Sequence, residues 1–401
     1  MKRTHRSMYP STTSARRQQG MTLVELMVAM LLGLVTTFFI AQVLAVAEGQ
    51  KRTATFGTDA QVNGAVALHT LRRHIQNAGY GVTSKFESWG CPIKGEYGTP
   101  GSTTAAPAMT LAPIAITRSA TASQPSDSLT LMASTKTSFA APVRITQARD
   151  GRAGETQSFK VDGSLGVKED DVILAMPYDY TAAGGNCTLF TVKQDTAALD
   201  TTLSRDYIPH VVSGSASSWN AAASSVWPTG GFKSGDVIVN FGKLRQSRFE
   251  IDSVSNDTFQ VVTWLQDGPA TLEQLNAGVV LLKALYGRDT DNNGVVDTYD
   301  TATPATNADW QTVLAVRIVI VARSGQREKD IVTAAEPNWD IGSNVAASYI
   351  KAPGSATTVC AAGAGACQLP LPLSHLSDWQ YYRYKVFDTA IPLRNMLWNG
   401  G

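Results

Sequence analysis

The chain has 401 residues, 43% of them hydrophobic and 17% charged, and its formal net charge is +1. This composition is typical of a folded globular protein, and the length fits one large or two modest domains after an anchor. Residues 1–20 contain five basic side chains and no acidic one, so the rest of the chain keeps 29 of the 34 basic residues against 33 acidic ones. Its net charge of about −4 argues against nucleic acid as the main ligand.

An apolar segment, residues 21–47, dominates the N-terminal region. It contains one ionisable side chain, Glu25, and no proline. Because a helix rises about 1.5 Å per residue, the segment is long enough to cross a bilayer. A carboxylate costs about 2.5–3.5 kcal/mol at the centre of a membrane helix, and less near its end, where Glu25 lies. A charge kept in such a segment predicts a functional role and a partner.

Two ordinary interpretations of this segment compete. One is a secretory signal peptide cut after Ala47, although the apolar run is longer than the usual 7–15 residues and carries a glutamate. The other is a plain single-pass anchor whose preceding Arg16 and Arg17 stay on the cytoplasmic side. The anchor predicts the same topology but does not explain the spacing between Gly20 and Glu25.

The residues around Glu25 resemble the class III signal of type IV prepilins. A basic leader ends at Gly20, and Met21 begins an apolar run whose fifth residue is Glu25. The resemblance implies that a membrane prepilin peptidase cuts between Gly20 and Met21 and that the new amine is methylated. It also implies that Glu25 neutralises the terminal amine of a neighbouring subunit in the filament.

The helix is predicted to continue beyond the apolar segment. A row of small and apolar residues recurs at helical spacing and predicts a buried face: Ala60, Gly64, Leu68, Leu71, Ile75 and Ala78. Gly79 and Gly81 indicate the end of the helix. The prediction is one helix over residues 21–78, roughly 87 Å long, with a membrane-spanning part at 21–47 and an amphipathic part from 48 to about 80.

The remainder, residues 81–401, predicts a β-rich domain. Strand-like runs bounded by Gly, Asp, Asn and Pro occur at residues 128–133, 143–147, 171–176, 187–192, 236–241, 258–265 and 313–322. Long helical patterns between them are few, so antiparallel pairing is favoured and the predicted class is α+β. Residues 98–126 and 213–225 read as surface loops, and residues 272–284 fit a short helix or a buried strand equally well.

The four cysteines are Cys91, Cys187, Cys360 and Cys367. All follow the predicted anchor and would lie in an oxidising compartment if the basic leader stays inside. Four cysteines allow three pairings. A short flexible loop favours Cys360 with Cys367, which leaves Cys91 with Cys187. Zinc is disfavoured, because CxxC spacing and nearby histidines are absent.

Residues 289–300 form the one segment with ligand spacing. Read as a twelve-residue calcium loop, it places carboxylate, amide and carbonyl oxygens at positions 1, 3, 5, 7, 9 and 12: Asp289, Asp291, Asn293, Val295, Asp297 and Asp300. Gly294 takes the sharp sixth position. The alternative is a solvated polar turn between two elements. The sequence therefore predicts a structural calcium ion in a loop that resembles part of an EF-hand.

An enzyme is not predicted, since the sequence has no GxSxG, HExxH or Walker A pattern. Five histidines, His5, His69, His74, His210 and His375, have no catalytic motif around them. Tyr and Arg or Lys alternate at residues 381–385, which suits stacking on single-stranded nucleic acid, but this alternation is more typical of a core strand with solvated basic side chains.

Three blocks of the β-rich part resemble PilW-type minor pilins: residues 235–239, 313–323 and 381–395. The resemblance implies a non-enzymatic minor pilin, processed at Gly20, that primes type IV pilus assembly and sits at the pilus tip. Its implied partners are other minor pilins, a tip adhesin, the major pilin and the prepilin peptidase. Before assembly it would lie in the inner membrane with a periplasmic C-terminal domain, and afterwards on the cell surface, serving twitching, adhesion or DNA uptake. The alternatives are a J-type pseudopilin of type II secretion and a membrane-anchored ligand-binding module.

Overall fold

A computed structural model describes most of the chain after the leader. The described residues are 20–82, 88–99, 102–106, 109–136, 142–149, 157–178, 180, 185–195, 197–212, 218–220, 226–265 and 270–397. Residues 1–19 of the predicted leader, and most of the predicted loop 213–225, lie outside them. The chain divides into two units, residues 1–55 and residues 56–401, which are described separately. The predicted domain bounds at residues 20 and 80 stay predictions.

The described part of the first unit is helical. Helix α1, Leu23–Gln76, begins here and continues into the second unit. Every side chain from Met21 to Gln50 is exposed. The hydroxyls of Thr36 and Thr37 donate to carbonyls of the same helix, Leu32 at 2.8 Å and Gly33 at 2.7 Å. Polar groups satisfied within the helix suit an apolar surrounding. Among the described helices, the one long and apolar enough to span a membrane covers residues 23–51.

In the second unit the same helix has one buried face. Five of the six residues of the predicted face are buried, and the sixth, Leu68, is half-buried; the buried ones are Ala60, Gly64, Leu71, Ile75 and Ala78. Ala67, which the prediction did not include, is also buried. The helix ends at Gln76 and is followed by turns through residue 82.

The end of α1 is held by contacts with distant segments. The Asn395 side chain donates to the Ala78 carbonyl at 2.8 Å. Gly79 has a φ of 77°, where glycine carries little strain, and its N–H donates to Met132 at 2.9 Å.

The described elements also include two short α-helices, α2 and α3, two 3₁₀ helices at Leu199–Thr201 and Trp379–Tyr381, and twenty-three strands. The α-helices are α2 Asn307–Gln311 and α3 Arg394–Leu397. The strands are β1 Pro92–Lys94, β2 Glu96–Thr99, β3 Ser102–Ala105, β4 Met109–Thr110, β5 Ile114–Thr117, β6 Ser128–Ser134, β7 Val143–Arg144, β8 Ser158–Lys160, β9 Val172–Met176, β10 Cys187–Thr191, β11 Tyr207–Pro209, β12 Val237–Gly242, β13 Leu244–Ile251, β14 Thr258–Leu265, β15 Thr271–Ala277, β16 Val279–Arg288, β17 Thr298–Asp300, β18 Val313–Arg323, β19 Asn338–Asp340, β20 Ala346–Ile350, β21 Thr357–Cys360, β22 Gln368–Pro370 and β23 Tyr384–Pro392.

Most strands belong to three sheets. Their orders are β4-β1-β10-β9-β12-β7, β15-β14-β13-β6-β5 and β21-β20-β17-β16-β18-β23, and three two-stranded sheets pair β11 with β8, β19 with β22 and β2 with β3. Among the paired strands named here, β1–β10 and β17–β20 run parallel and the other pairs are antiparallel. The predicted α+β class is confirmed: an N-terminal apolar helix precedes a mostly antiparallel β-sheet domain.

Two sequence-based predictions need correction. Residues 272–284 are neither one helix nor one strand: they hold parts of β15 and β16, which meet at Gly278, whose φ is 77°. Residues 98–126 are not one surface loop, because β3, β4 and β5 lie within them and Leu111, Ile114 and Ile116 are buried. Each buried residue is surrounded by Ala, Thr and Pro, so the local composition hides the apolar strand.

Strands β16 and β18 form the centre of the domain. They pair over nearly their whole length, and both faces are covered by apolar clusters. Ile318 and Ile320 belong to the cluster that includes residues of α1, whereas Val319 and Val321 belong to the cluster with β19, β20 and β22. Burial on both faces explains why residues 313–323 read as a nearly continuous apolar run.

Candidate functional site

The first candidate site lies at the start of α1. Glu25 is in the first turn of the helix, and its N–H donates to the Thr22 hydroxyl at 3.3 Å. A carboxylate in the first turn is favoured by the positive end of the helix dipole, typically by 0.3–1 kcal/mol. Gly20, Met21 and Glu25 are all exposed. Among the described residues, no ion-pair partner faces the Glu25 carboxylate.

Both predicted disulfides are present. Cys91, just before β1, is bonded to Cys187 at the start of β10, and both residues are fully buried. Cys360, at the end of β21, is bonded to Cys367, just before β22. The first disulfide joins two cysteines that are 96 positions apart in sequence, and the second joins two that are 7 positions apart.

The second candidate site is the loop between β16 and β17. Carboxylate oxygens of Asp289, Asp291 and Asp297 lie within 4.8 Å of one another. Gly294, with a φ of 82°, makes the sharp turn that the spacing predicts. The loop is therefore a carboxylate cluster on a hairpin: Arg288 pairs with Thr298 at its base.

Backbone amides hold the carboxylates of this loop. Asp289 accepts from the N–H groups of Asn293 at 3.1 Å and Gly294 at 2.7 Å, and Asp297 accepts from the N–H of Thr290 at 2.7 Å. Burial alone would raise the pKa of Asp289, but the hydrogen bonds from Gly294 and Asn293 outweigh it and hold that pKa below its ordinary value. These hydrogen bonds keep the Asp289 charge in place next to two further acids.

Asp300, the predicted twelfth ligand, lies outside this cluster of three carboxylates. It lies on β17 opposite Tyr286, and its carboxylate is 2.6 Å from Nε of Arg288. The reason is strand pairing: residues 298–300 extend the hairpin and leave the loop. Two other predicted ligands, Asn293 and Val295, are bonded to each other. The Asn293 side-chain oxygen accepts from the Val295 N–H at 2.7 Å, and Val295 is 63% exposed.

Two tyrosines of the segment 381–385, Tyr381 and Tyr382, lie against neighbouring arginines. The guanidinium of Arg327 lies 3.8 Å from the ring centre of Tyr381, and that of Arg323 lies 4.6 Å from the ring centre of Tyr382. Arg323 also pairs with Asp257 at 2.8 Å. Residues on β23 and the segment before it thus make contacts within the domain.

Two important residues are missed by sequence reasoning. Phe387 on β23 packs against Gly64, since a Cβ built on Gly64 would lie 2.1 Å from its ring. Lys283 on β16 is buried and forms an ion pair with buried Asp127 at 3.0 Å. An isolated charged residue within an apolar run is the sequence signal for Lys283, but its partner is 156 residues away.

Comparisons with known proteins agree with both parts of the chain. A family model described as Prokaryotic N-terminal methylation motif matches residues 15–41, which contain Gly20, Met21 and Glu25. A second model, Type IV Pilus-assembly protein W, matches residues 247–395, which include the aspartate loop and strands β16 to β23. Searches of curated proteins and of solved structures found no match. The resemblance to PilW-type pilins is confirmed, and the two matches support a minor pilin related to type IV pili and anchored in a membrane.

Proposed function

We propose that this chain is a structural minor pilin that helps to prime type IV pilus assembly and remains at or near the pilus tip. The observation that carries the proposal is the exposed apolar helix with Glu25 in its first turn, inside the matched methylation motif. A helix that is apolar on all sides needs lipid or other apolar helices around it. A pilin satisfies this need first in the inner membrane and then in the filament.

In this proposal each residue of the first site has a separate role. Gly20 provides the cleavage position for the prepilin peptidase, and Met21 provides the amine that is methylated. Glu25 pairs with the terminal amine of a neighbouring subunit. The partners of the whole chain are other minor pilins, the major pilin and a tip adhesin. The domain after residue 56 faces the periplasm before assembly.

Mass spectrometry of the N-terminal peptide tests the processing step. We expect the mature chain to begin with N-methyl-Met21, and Gly20→Ala to leave the uncleaved precursor in the membrane. Gln19→Ala, which leaves the glycine in place, is the matched control and should be processed normally. A mature chain beginning at Glu48 would instead identify a secretory signal peptide.

The place in the pilus needs a second measurement. We expect deletion of the chain to reduce pilus number strongly, and immunogold labelling of sheared pili to mark one end. Labelling spread along the shaft, or normal pilus number in the deletion strain, contradicts the tip and priming roles even if Gly20 is processed.

We also propose that the aspartate loop holds a structural calcium ion. Three carboxylates whose oxygens lie within 4.8 Å repel one another, by about 4 kcal/mol for unit charges 4 Å apart at an effective dielectric of 20. Asp289, Asp291 and Asp297 would provide the oxygens, and calcium prefers such hard ligands. Affinity would be weak, about 10⁻⁴–10⁻³ M, as in extracellular modules.

Thermal unfolding of the full chain in detergent tests the calcium proposal. A calcium concentration ten times Kd adds about 1.4 kcal/mol, so the Tm should rise by about 2–4 °C in millimolar calcium and not in magnesium. Asp289→Ala with Asp291→Ala should abolish the rise. Asp300→Asn, outside the cluster, should keep it. A Tm indifferent to calcium and chelator would identify the loop as a polar turn.

A further inference from the structure

Among the described strands, β21 is the outermost of its sheet and pairs with β20 alone. An edge strand offers unpaired backbone N–H and C=O groups, which can pair with another strand. Its orientation follows from the strand next to it. On β20, the Ala346 N–H donates to Asp297 and the Ser348 carbonyl accepts from the Thr301 N–H, both on the β17 side. The backbone N–H and C=O groups of successive residues point to alternate neighbouring strands. The N–H and C=O of Ala347 therefore point toward β21.

The register then identifies the open groups of β21. Ala347 lies opposite Cys360, so Cys360 and, by alternation, Thr358 bond to β20. Thr357 and Val359 direct their N–H and C=O groups outward. Both side chains are exposed, Val359 by 73%.

Among the described residues, this four-residue edge has neither a charged side chain nor a partner for its outward backbone groups. No Lys, Arg, Asp or Glu occurs between Lys351 and Asp378. Charged side chains, very short strands or a covered backbone normally block an edge. The other described edges of the three large sheets have one of these features: β15 and β23 carry charges, β4 and β7 have two residues each, and β5 donates its Ile116 N–H to the Tyr286 hydroxyl.

The open edge is also held rigid. The disulfide between Cys360 and Cys367 fixes the end of β21, and Cys367 is buried and donates its N–H to Gly342 at 3.0 Å. Gly363, in the loop between the cysteines, donates its N–H to Ser343 at 2.6 Å. A fixed edge binds a strand with little further loss of conformational entropy.

We propose that β21 receives an extended, uncharged strand from a different subunit of the same pilus. An uncharged edge favours an uncharged strand, since a charge set against it would lose water without gaining a partner. A different subunit is favoured over a second copy, because the proposed position at the pilus tip places other minor pilins beside this chain. The inference rests on the proposed role as a minor pilin.

Site-specific photocrosslinking in piliated cells tests this proposal. A benzoylphenylalanine at Thr357 in the full chain should form an adduct with another pilus subunit, mapped by mass spectrometry to an extended uncharged segment. The same probe at Val254, which is 88% exposed in the turn between β13 and β14, is the control and should give no such adduct. An adduct with a second copy of this chain would overturn the proposal.

Variants at Val359 test whether the backbone edge is responsible. With the probe at Thr357, Val359→Pro removes an outward N–H and should reduce the adduct at least tenfold, whereas Val359→Thr keeps the N–H and the adduct. Val359→Lys, which keeps the backbone and adds a charge to the edge, should also reduce it. Formation of both disulfides reports folding of each variant. An undiminished adduct in the proline and lysine variants overturns the proposal.

The two proposals fail differently. Absence of the chain from sheared pili removes the minor-pilin proposal and, with it, this one. Presence of the chain in pili without an adduct at Thr357 removes only the strand-addition proposal.

Discussion

The two units of the chain differ in where their apolar side chains lie: they are exposed in the first unit and largely buried in the second. From Met21 to Gln50 every side chain is exposed although the segment is almost wholly apolar. From residue 56 onward the same helix buries Ala67, Leu71 and Ile75 completely in a core shared with three sheets. The domain is therefore stabilised by its own contacts, whereas the apolar segment depends on lipid or neighbouring chains. Substitutions of the same kind should act on stability in the domain and on assembly in the apolar segment.

Removing a charged side chain should give the largest difference in stability between the domain and the apolar segment. Lys283 and Asp127 are 3% and 1% exposed and pair with each other. Lys283→Met leaves a buried carboxylate unpaired and should lower the free energy of unfolding by about 3–5 kcal/mol. Glu25→Ala should leave this free energy unchanged and prevent the chain from joining pili. Tryptophan fluorescence in denaturant reports the domain, because all eight tryptophans follow residue 55.

A double variant separates the lost charge pair from lost packing. Lys283→Met with Asp127→Asn removes both charges and keeps an acceptor for the Ala284 N–H, which lies 3.2 Å from Asp127. Most of the stability should return. If the single and double variants are equally unstable, packing of the Lys283 stem is responsible. Normal piliation in Glu25→Ala, with the chain found in sheared pili, would remove the assembly role of that carboxylate.

The response to mildly acidic pH should also differ between the two units, since residues 20–55 contain no histidine and the domain contains a buried one, His210. Burial among Phe159 and Phe190, with ring centres 4.7 and 4.8 Å away, lowers the pKa of His210 to about 3. The unfolded chain takes up a proton below pH 6.5 and the folded chain does not, so stability falls from pH 6.5 downward. The loss from this residue is about 3 kcal/mol at pH 4.

The His210→Phe variant isolates this contribution. Its stability measured between pH 7 and 4 should fall by about 3 kcal/mol less than that of the natural chain. Burial would raise the pKa of Glu336, but hydrogen bonds from Lys351 and the Leu373 N–H outweigh it and hold that pKa at about 2. Burial lowers the pKa of His375 to about 4, and both residues supply a slope that remains in the variant. Equal slopes in the two chains would show that His210 is protonated in the folded domain.

Alanine substitution of two glycines of α1, Gly64 and Gly33, should give the smallest difference in the free energy of unfolding. A Cβ on Gly64 would overlap the Phe387 ring, whereas Gly33 has no heavy atom within 4 Å of such a position. Gly64→Ala should lower the free energy of unfolding by about 1–2 kcal/mol, because overpacking exceeds the gain in helix propensity. Gly33→Ala should not change it. A stabilised Gly64→Ala variant would mean that the Phe387 ring moves aside at little cost.

The sequence by itself determined the features that depend on neighbouring residues. The apolar run with Glu25 five residues after Gly20 determined the helix and the pilin resemblance, since both follow from spacing along the chain. The 3.6-residue repeat likewise predicted the buried face through Ala60, Gly64 and Leu71, and strand-like runs bounded by turn residues predicted seven strands. The disulfide pairing was predicted from the short Cys360–Cys367 loop.

Only the tertiary structure decided which distant residues meet. Asp300 fits a calcium loop by spacing, but pairing of β17 with β16 places it against Arg288. Lys283 on β16 meets Asp127, just before β6, through tertiary packing. Within residues 98–126, β5 forms because the core covers its apolar side chains, Ile114 and Ile116. The open edge of β21 likewise depends on strand order. Backbone pairing between distant segments follows from the summed burial of the whole domain, and no local pattern carries that information.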